Sequence, residues 1–230
     1  MAARTPALLI KRIMFALAAL AIAAVLLWVF AMRWTPSRAT YPLQGIDVSA
    51  AQGEIDWRKV RADGADFAYV KASEGTDVRD PQFAQNWQTA REAGVRRGAS
   101  HSFTLCRLAR DQATNFIATV PREANMLPAA LNLGFDDTCP ARPDRKVLLT
   151  EIALFIEMVE AHTGKAMIIY MTKDFEDAYQ ISSAVDRSLW LRRLFFAPNY
   201  GSHPWVIWQA SNQRRIDGVN GPVNWNVVQP

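Results

Sequence analysis

Residues 67–103, FAYVKASEGTDVRDPQFAQNWQTAREAGVRRGASHSF, contain one complete strand–helix–strand unit. A short apolar run at 67–71 predicts a buried strand, and a segment with the apolar spacing of a helix follows at 81–93. Gly94 then marks the end of the helix, and a second run at 97–103 predicts the next strand. Because a helix connects them, the two strands are expected to lie parallel in one sheet.

The same alternation continues on both sides of this unit. Further strands are predicted at 45–48, 129–135, 166–171, 189–192 and 205–208, and further helices at 57–62, 108–118, 146–162 and 174–179. Repeated βα units predict an α/β fold with a mainly parallel sheet. The last third of the chain has more strand than helix, so eight equal βα units are not expected.

Several predicted strands end in polar residues, and in βα folds the carboxyl ends of strands are where ligand chemistry gathers. In the fourth predicted strand, alternate residues share one face because side chains in a strand have a period of two. The strand-end candidates are Asp47, Glu74, His101, Asn132 and Gly134, together with Asp136 on the same face as the last two and Gln209 after the 205–208 strand.

The segment 13–32, IMFALAALAIAAVLLWVFAM, contains twenty residues and no charge. As a helix it is long enough to cross a hydrocarbon core of roughly 30 Å, so it predicts a single transmembrane anchor. A cleavable signal peptide is the alternative, because Ala-rich triplets in this segment resemble a cleavage site. The apolar run continues well beyond those triplets, which favours an uncleaved anchor.

The charges around this segment predict its orientation. Basic residues before the segment, together with the amino terminus, outnumber those after it, which holds residues 1–12 in the cytoplasm and sends the remainder outside. In a bacterium this is an inner-membrane protein with its C-terminal domain in the periplasm. Residues 33–44 are polar and contain proline, and they predict a short linker. The basic residues are Arg4, Lys11 and Arg12 on one side and Arg33 and Arg38 on the other.

The net charge of +4 comes from this N-terminal region. Residues 39–230 contain 21 basic and 22 acidic side chains and no basic run for a phosphate backbone to follow. We therefore expect no nucleic-acid partner.

Two cysteines, Cys106 and Cys139, suit an oxidising compartment, where they would form a disulfide. Two buried free thiols are the alternative. Neither the cysteines nor the three scattered histidines have the spacing of metal ligands, so the sequence predicts no metal site and no cofactor.

Several stretches resemble, in order and spacing, the signatures of the glycoside hydrolase family 25 muramidases, lysozymes that cut the glycan of peptidoglycan. The resemblance implies an irregular, flattened β/α (TIM-like) barrel over residues 45–230, preceded here by the transmembrane helix. Cys106 and Cys139 also resemble the paired cysteines of Gram-negative members. The stretches are GIDVSAAQGEIDWRKV (45–60), FAYVKASEG (67–75), DPQFAQNWQTAREAGVRRGASHSF (80–103), WVIWQAS (205–211) and GVNGPVNWNVV (218–228).

The resemblance also implies an acidic groove floor, and this sequence departs from it. The family carries an aspartate on the first strand, an Asp-x-Glu pair at the end of the fourth and an aspartate near the C-terminus. Asp47 matches the first, but Asn132 and Gly134 replace the pair and Asn224 replaces the last. Glycoside hydrolysis needs a protonated carboxyl beside the leaving oxygen, and glycine has none to offer.

Four further residues are candidates for the groove. Asp136 has the strand parity to replace the missing acid, but it lies roughly 6 to 7 Å farther along the strand. Glu74 belongs to a motif that has a glutamate in the family too, where it does not replace the acid. His101 is predicted to line the groove or to be a structural histidine. Trp208 is predicted to stack on a sugar ring or to lie in the core.

These observations lead to one main hypothesis and two alternatives. The chain is expected to be a membrane-anchored periplasmic protein that binds peptidoglycan glycan strands and is inactive or strongly impaired as a hydrolase. The first alternative is an active muramidase that uses Asp47 with Asp136 or with an acetamido group of the substrate. The second is a scaffold that binds a protein partner of the cell envelope.

Overall fold

The computed structural model describes residues 6–230, which form two compact units divided between Trp34 and Thr35. The first unit is helix α1, Pro6–Arg33, which contains the predicted span and extends it toward the N-terminus. Its segment from Leu8 to Arg33 is long and apolar enough to cross a membrane, and a signal sequence would have the same character. The part of the predicted cytoplasmic segment at 1–5 lies outside the described residues.

The second unit contains all the strands that the structure describes, and its elements alternate as predicted. The strands are β1 Gln44–Val48, β2 Phe67–Glu74, β3 Val78–Arg79, β4 Arg96–Ser102, β5 Ala130–Leu133, β6 Ile168–Met171, β7 Ser188–Arg192, β8 Trp205–Arg214 and β9 Val223–Val228. The helices are α2 Trp57–Ala62, α3 Phe83–Glu92, α4 Ala109–Thr119, α5 Arg145–Thr163 and α6 Lys173–Tyr179, with short 3-10 helices at 50–52 and 181–183.

Eight of these strands, in the order β1-β9-β8-β7-β6-β5-β4-β2, close into a barrel because β1 also pairs with β2. The predicted α/β barrel is thereby confirmed. From β2 through β8 the barrel strands run parallel, whereas β9 is antiparallel to both β8 and β1. As expected, the last third of the chain does not consist of regular βα units. The predicted strands did not include β9, although Val223–Val228 alternates apolar and polar residues.

The interior of the barrel is filled by side chains that alternate along the strands. Because one step along a strand reverses the side, this alternation decides which residues face the barrel interior and which face the helices. Irregularities after Lys71 in β2 and between β7 and β8 shift the register locally. The interior cluster consists of Phe67, Tyr69, Ala130, Ile168, Tyr170, Trp190 and Ile207.

A disulfide between Cys106 and Cys139 joins the loop after β4 to the loop after β5. It confirms the predicted pairing and decides against two free thiols. The bridge closes a sequence separation of 33 residues. Both loops leave the carboxyl ends of barrel strands, so the bridge fixes two walls of the same end of the barrel.

The predicted linker at 33–44 is not a free tether along its whole length. Arg38 forms an ion pair with Asp66 at 3.0 Å, and the buried side chain of Gln44 donates hydrogen bonds to the carbonyls of Pro36 (3.0 Å) and Tyr41 (2.9 Å). Residues 35–44 therefore belong to the globular unit.

Candidate functional site

Asp47 lies near the carboxyl ends of the parallel strands, which we call the open end of the barrel. Both of its carboxylate oxygens accept hydrogen bonds from side-chain amides of strand β9. Asn224 donates a hydrogen bond of 2.7 Å to Oδ2, and Asn226 donates one of 2.7 Å to Oδ1. The Asn226 amide is itself oriented, because its oxygen accepts a 3.0 Å hydrogen bond from the indole of Trp190. Burial raises the pKa of Asp47, although the two amides and the nearby Arg192 oppose that shift.

Arg192 ends β7 and supplies a positive charge near this carboxylate. Among the residues from 6 to 230, no carboxylate lies within 4.0 Å of its guanidinium. Tyr170 also interacts with Arg192, and burial raises the pKa of the Tyr170 hydroxyl. The floor is therefore a single carboxylate surrounded by amides, a phenol and one guanidinium.

Asn132 lies in β5 and Gly134 directly follows this strand, at the two positions where the family resemblance predicts an acid pair. Asn132 is in register with Ser102 on one side and Tyr170 on the other, so its side chain belongs to the interior set. A β-carbon added at Gly134 would lie 3.9 Å from the nearest atoms of Thr172, which is ordinary contact. A β-carbon would thus fit at position 134, and close contacts do not require glycine there.

An open cleft of about 360 Å³ occupies the space beside Gly134. Its wall includes a buried threonine hydroxyl, that of Thr172, which has no hydrogen-bond partner within the described part of the chain. The cleft is lined by Gly134, Phe135, Thr172, Lys173, Asp174, Arg192 and Leu194.

Asp136 is held away from the role of a proton donor. Its carboxylate accepts hydrogen bonds of 2.8 Å from the backbone N–H and the hydroxyl of Thr138. These bonds, with a smaller contribution from Lys71, lower the pKa of Asp136. An ionised carboxylate with a lowered pKa cannot deliver a proton at neutral pH. Glu74, at the end of β2, forms an ion pair with Lys71.

His101 does not line the groove, which corrects one of the two interpretations offered for it. Its side chain is fully buried on the outer side of β4, where it packs against Phe116 and Phe155 under helices α4 and α5. Ser73 and Gln112 lie within hydrogen-bonding distance of its ring nitrogens, and burial lowers its pKa to about 4. Strand alternation explains the error, because the neighbouring serines of β4 occupy the interior positions.

Trp208 is likewise not in a position to stack on a sugar in the groove. It is 4% exposed and lies on the side of β8 opposite the interior residue Ile207, against Tyr41 and Trp205. Its indole donates a 2.6 Å hydrogen bond to the carbonyl of Arg193. The core interpretation is therefore the correct one.

Three residues of the site were missed by the sequence analysis, and two of them had a readable signal. Asn226 follows Asn224 by two residues and so shares its face of β9. Arg192 has the parity of the interior residue Trp190 at a predicted strand end. Thr172, in contrast, lies just beyond a strand and has no signal of its own.

Comparison with known proteins agrees with the barrel. The family model described as glycosyl hydrolases family 25 matches residues 46–219. The uncharacterized protein YegX of Escherichia coli K12 is 36% identical over 195 residues, which cover 82% of this chain and 70% of that protein. Lysozyme M1 of Streptomyces globisporus is 31% identical over 206 residues, covering 81% and 68%.

Solved structures show the same fold. A family 25 glycosyl hydrolase from Bacillus anthracis superimposes with a TM-score of 0.78 at 30% identity, covering 86% of this chain and 92% of that one. The lysozyme from Streptomyces coelicolor gives a TM-score of 0.75 at 31% identity, covering 81% and 91%. With the barrel, the first-strand aspartate and these matches agreeing, the chain belongs to glycosyl hydrolase family 25.

Proposed function

We propose that this protein is a membrane-anchored member of family 25 that binds peptidoglycan glycan and no longer hydrolyses it. The observation that carries the proposal is Gly134, a glycine at the position where the family resemblance predicts the proton donor. The relatives described as lysozymes support peptidoglycan as the ligand, because lysozymes of this family act on it.

The chemistry of glycoside cleavage supports the loss of activity. The leaving oxygen must receive a proton from a positioned acid, and such an acid typically contributes a factor of about 10² to 10⁴ to the rate. Asn132 and Asn224 also remove two negative charges that would stabilise a cationic transition state. Asp136 is displaced along the chain and is ionised, so it does not replace the acid.

The same substitutions leave a floor suited to binding. Asn132, Asn224 and Asn226 provide amide groups that donate and accept hydrogen bonds, and Asp47 adds an acceptor. The hydroxyl and acetamido groups of a peptidoglycan strand need both kinds of partner. A groove that binds by hydrogen bonding does not require the proton donor that hydrolysis needs.

Helix α1 supports the anchoring part of the proposal. It is apolar over Leu8–Arg33, and the basic residues around it favour a periplasmic location for the domain. Membrane fractions washed with alkaline carbonate are expected to retain the full chain, and protease added to spheroplasts is expected to digest the domain. Release of the full-length chain by carbonate would contradict the anchor.

Binding can be tested with the full chain in mild detergent and purified peptidoglycan sacculi. We expect the chain to sediment with the sacculi, and Asn132→Ala to weaken this binding. Gln85→Ala removes an exposed amide from the outer helix α3 and provides the matched control. If the wild-type chain stays in the supernatant, the glycan-binding proposal is wrong, and a protein partner becomes the better hypothesis.

A further inference from the structure

We propose that Phe196 forms an aromatic platform on which one pyranose ring of the bound glycan stacks, beside the cleft at Gly134. This inference rests on the proposed glycan binding and adds a specific contact to it. Phe196 lies in the loop between β7 and β8, residues 193–204, which is called the platform loop below.

The platform loop is continuous with the cleft. Arg192, which precedes the loop, and Leu194, within it, both line the cleft beside Gly134. Phe196 follows Leu194 by only two residues. A glycan strand that occupies the cleft would therefore pass close to this side chain.

Hydrogen bonds hold the platform loop in place. The N–H of Phe195 donates to the carbonyl of Ala210 at 2.8 Å. The hydroxyl of Tyr200 accepts from the N–H of Arg192 at 2.9 Å and lies 3.1 Å from the carbonyl of Met171. The position of the loop is thus fixed from both ends before any ligand binds.

Phe195 has a φ of +66°, which is the left-handed region. A bulky residue rarely adopts this conformation, and such outliers persist where the surrounding contacts enforce them, often at ligand-binding sites. Only one other non-glycine residue in the described part of the chain, Gln180, has a positive φ. Phe195, which has this conformation, is half-buried, and the next residue, Phe196, is exposed.

The ring of Phe196 is 65% exposed, a large apolar surface in contact with water. The guanidinium carbon of Arg193 lies 5.6 Å from the ring centroid, and the Arg193 side chain also donates a 2.9 Å hydrogen bond to the carbonyl of Ala197. A cation over one face orients the ring and leaves its remaining surface available.

A sugar fits this surface better than an apolar protein surface does. Pyranose rings present C–H groups on a face bordered by hydroxyl groups. The exposed ring is a single aromatic side chain with Arg193 over it, in a loop that starts beside a polar cleft, and these features match that pattern. An apolar protein partner would instead need a contiguous apolar patch.

The test compares binding of four full-length chains in detergent to sacculi and to the hexamer of β-1,4-linked N-acetylglucosamine. The chains are the wild type, Phe196→Ala, Phe196→Trp and Val206→Ala. The last removes a partly exposed apolar side chain at the opposite end of the barrel and serves as the control. Thermal unfolding of each variant checks that the fold is unchanged.

We expect Phe196→Ala to weaken both kinds of binding about threefold to tenfold, Phe196→Trp to preserve it, and Val206→Ala to have no effect. If the wild type binds and Phe196→Ala binds equally well, the platform is wrong while the proposed function stands. If the wild type binds neither probe, the proposed function fails and the platform fails with it.

Discussion

Asn224 and Asp47 lie opposite each other in the register of β9 and β1, and the Asn224 amide donates a 2.7 Å hydrogen bond to the Asp47 carboxylate. An aspartate at position 224 would bring two carboxylates into contact, and the pKa of one of them would be strongly raised. Asparagine removes that coupling. The floor of the groove therefore keeps the carboxylate of Asp47 but has no second carboxyl group beside it to carry a proton.

Asp47→Asn is expected to raise the melting temperature at pH 7. The pKa of Asp47 is raised in the folded chain, so the folded state favours the protonated form. That contribution to stability is complete below the unfolded pKa and is lost as the pH rises through the folded pKa. The side chain of Asn224 has no other hydrogen bond within residues 6–230, so its amide can rotate to accommodate the new side chain.

Thermal unfolding of the wild type and of Asp47→Asn from pH 3 to pH 7 checks this prediction. The difference between the two melting temperatures should be small at pH 3 and should increase toward pH 7. A difference that does not change with pH would show that folding does not raise the pKa of Asp47.

His101 is expected to make the fold sensitive to mild acid. Burial lowers its pKa from 6.5 to about 4, so the unfolded chain takes up the proton first. Its contribution to stability is complete above pH 6.5 and is lost as the pH falls toward 4, by about 3 kcal/mol in total.

Denaturant unfolding between pH 7 and pH 4 measures this slope. His101→Gln should lower stability at pH 7 because it disturbs a buried contact, but it should reduce the slope between pH 6.5 and 4. If the wild type and the variant have the same slope, the histidine is not buried as a neutral ring.

Gly134→Glu is expected to fold with nearly wild-type stability, because the added β-carbon would make only ordinary contacts. Gly98→Ala provides the contrast. Its β-carbon would lie 2.5 Å from the ring of Tyr69, a core residue that is 1% exposed. Overpacking of this kind costs about 1 to 3 kcal/mol. Melting temperatures of the two variants test the comparison, and a larger loss for Gly134→Glu would contradict it.

Reduction of the disulfide is expected to destabilise the domain by about 3 to 4 kcal/mol, since the bond closes a loop of some 33 residues. Unfolding with and without a thiol reductant measures the effect. The Cys106→Ser/Cys139→Ser double variant should show the lower stability in both conditions. If the reductant lowers the stability of this variant as much as that of the wild type, the reagent acts on something other than the disulfide.

Much of the barrel could be predicted from the sequence because its strands and helices have different periods. Helix α2 begins and ends at the predicted residues, and the remaining predicted helices differ from the observed ones by at most two residues at either end. Strand β9 was missed because Val223–Val228 follows a turn without an intervening helix, and its pairing with β1 depends on closure of the barrel.

The site was predicted less completely, for a reason of geometry. Strand parity assigned Asn132 and Gly134 to one face of the fourth predicted strand, and Asp47 was chosen from its position at the end of the first strand. His101 and Trp208 were considered from their strand-end positions alone, and one step of parity puts both on the outer side. The bulge between β7 and β8 makes the parity at Trp208 especially difficult to read.

The release of reducing ends from purified sacculi tests the central claim most directly. The full-length wild type, Asp47→Ala and a triple variant with Asn132→Asp, Gly134→Glu and Asn224→Asp are compared with a blank without protein. We predict that the wild type releases no more than the blank and that the triple variant releases measurably more. Release by the wild type that Asp47→Ala abolishes would contradict the account.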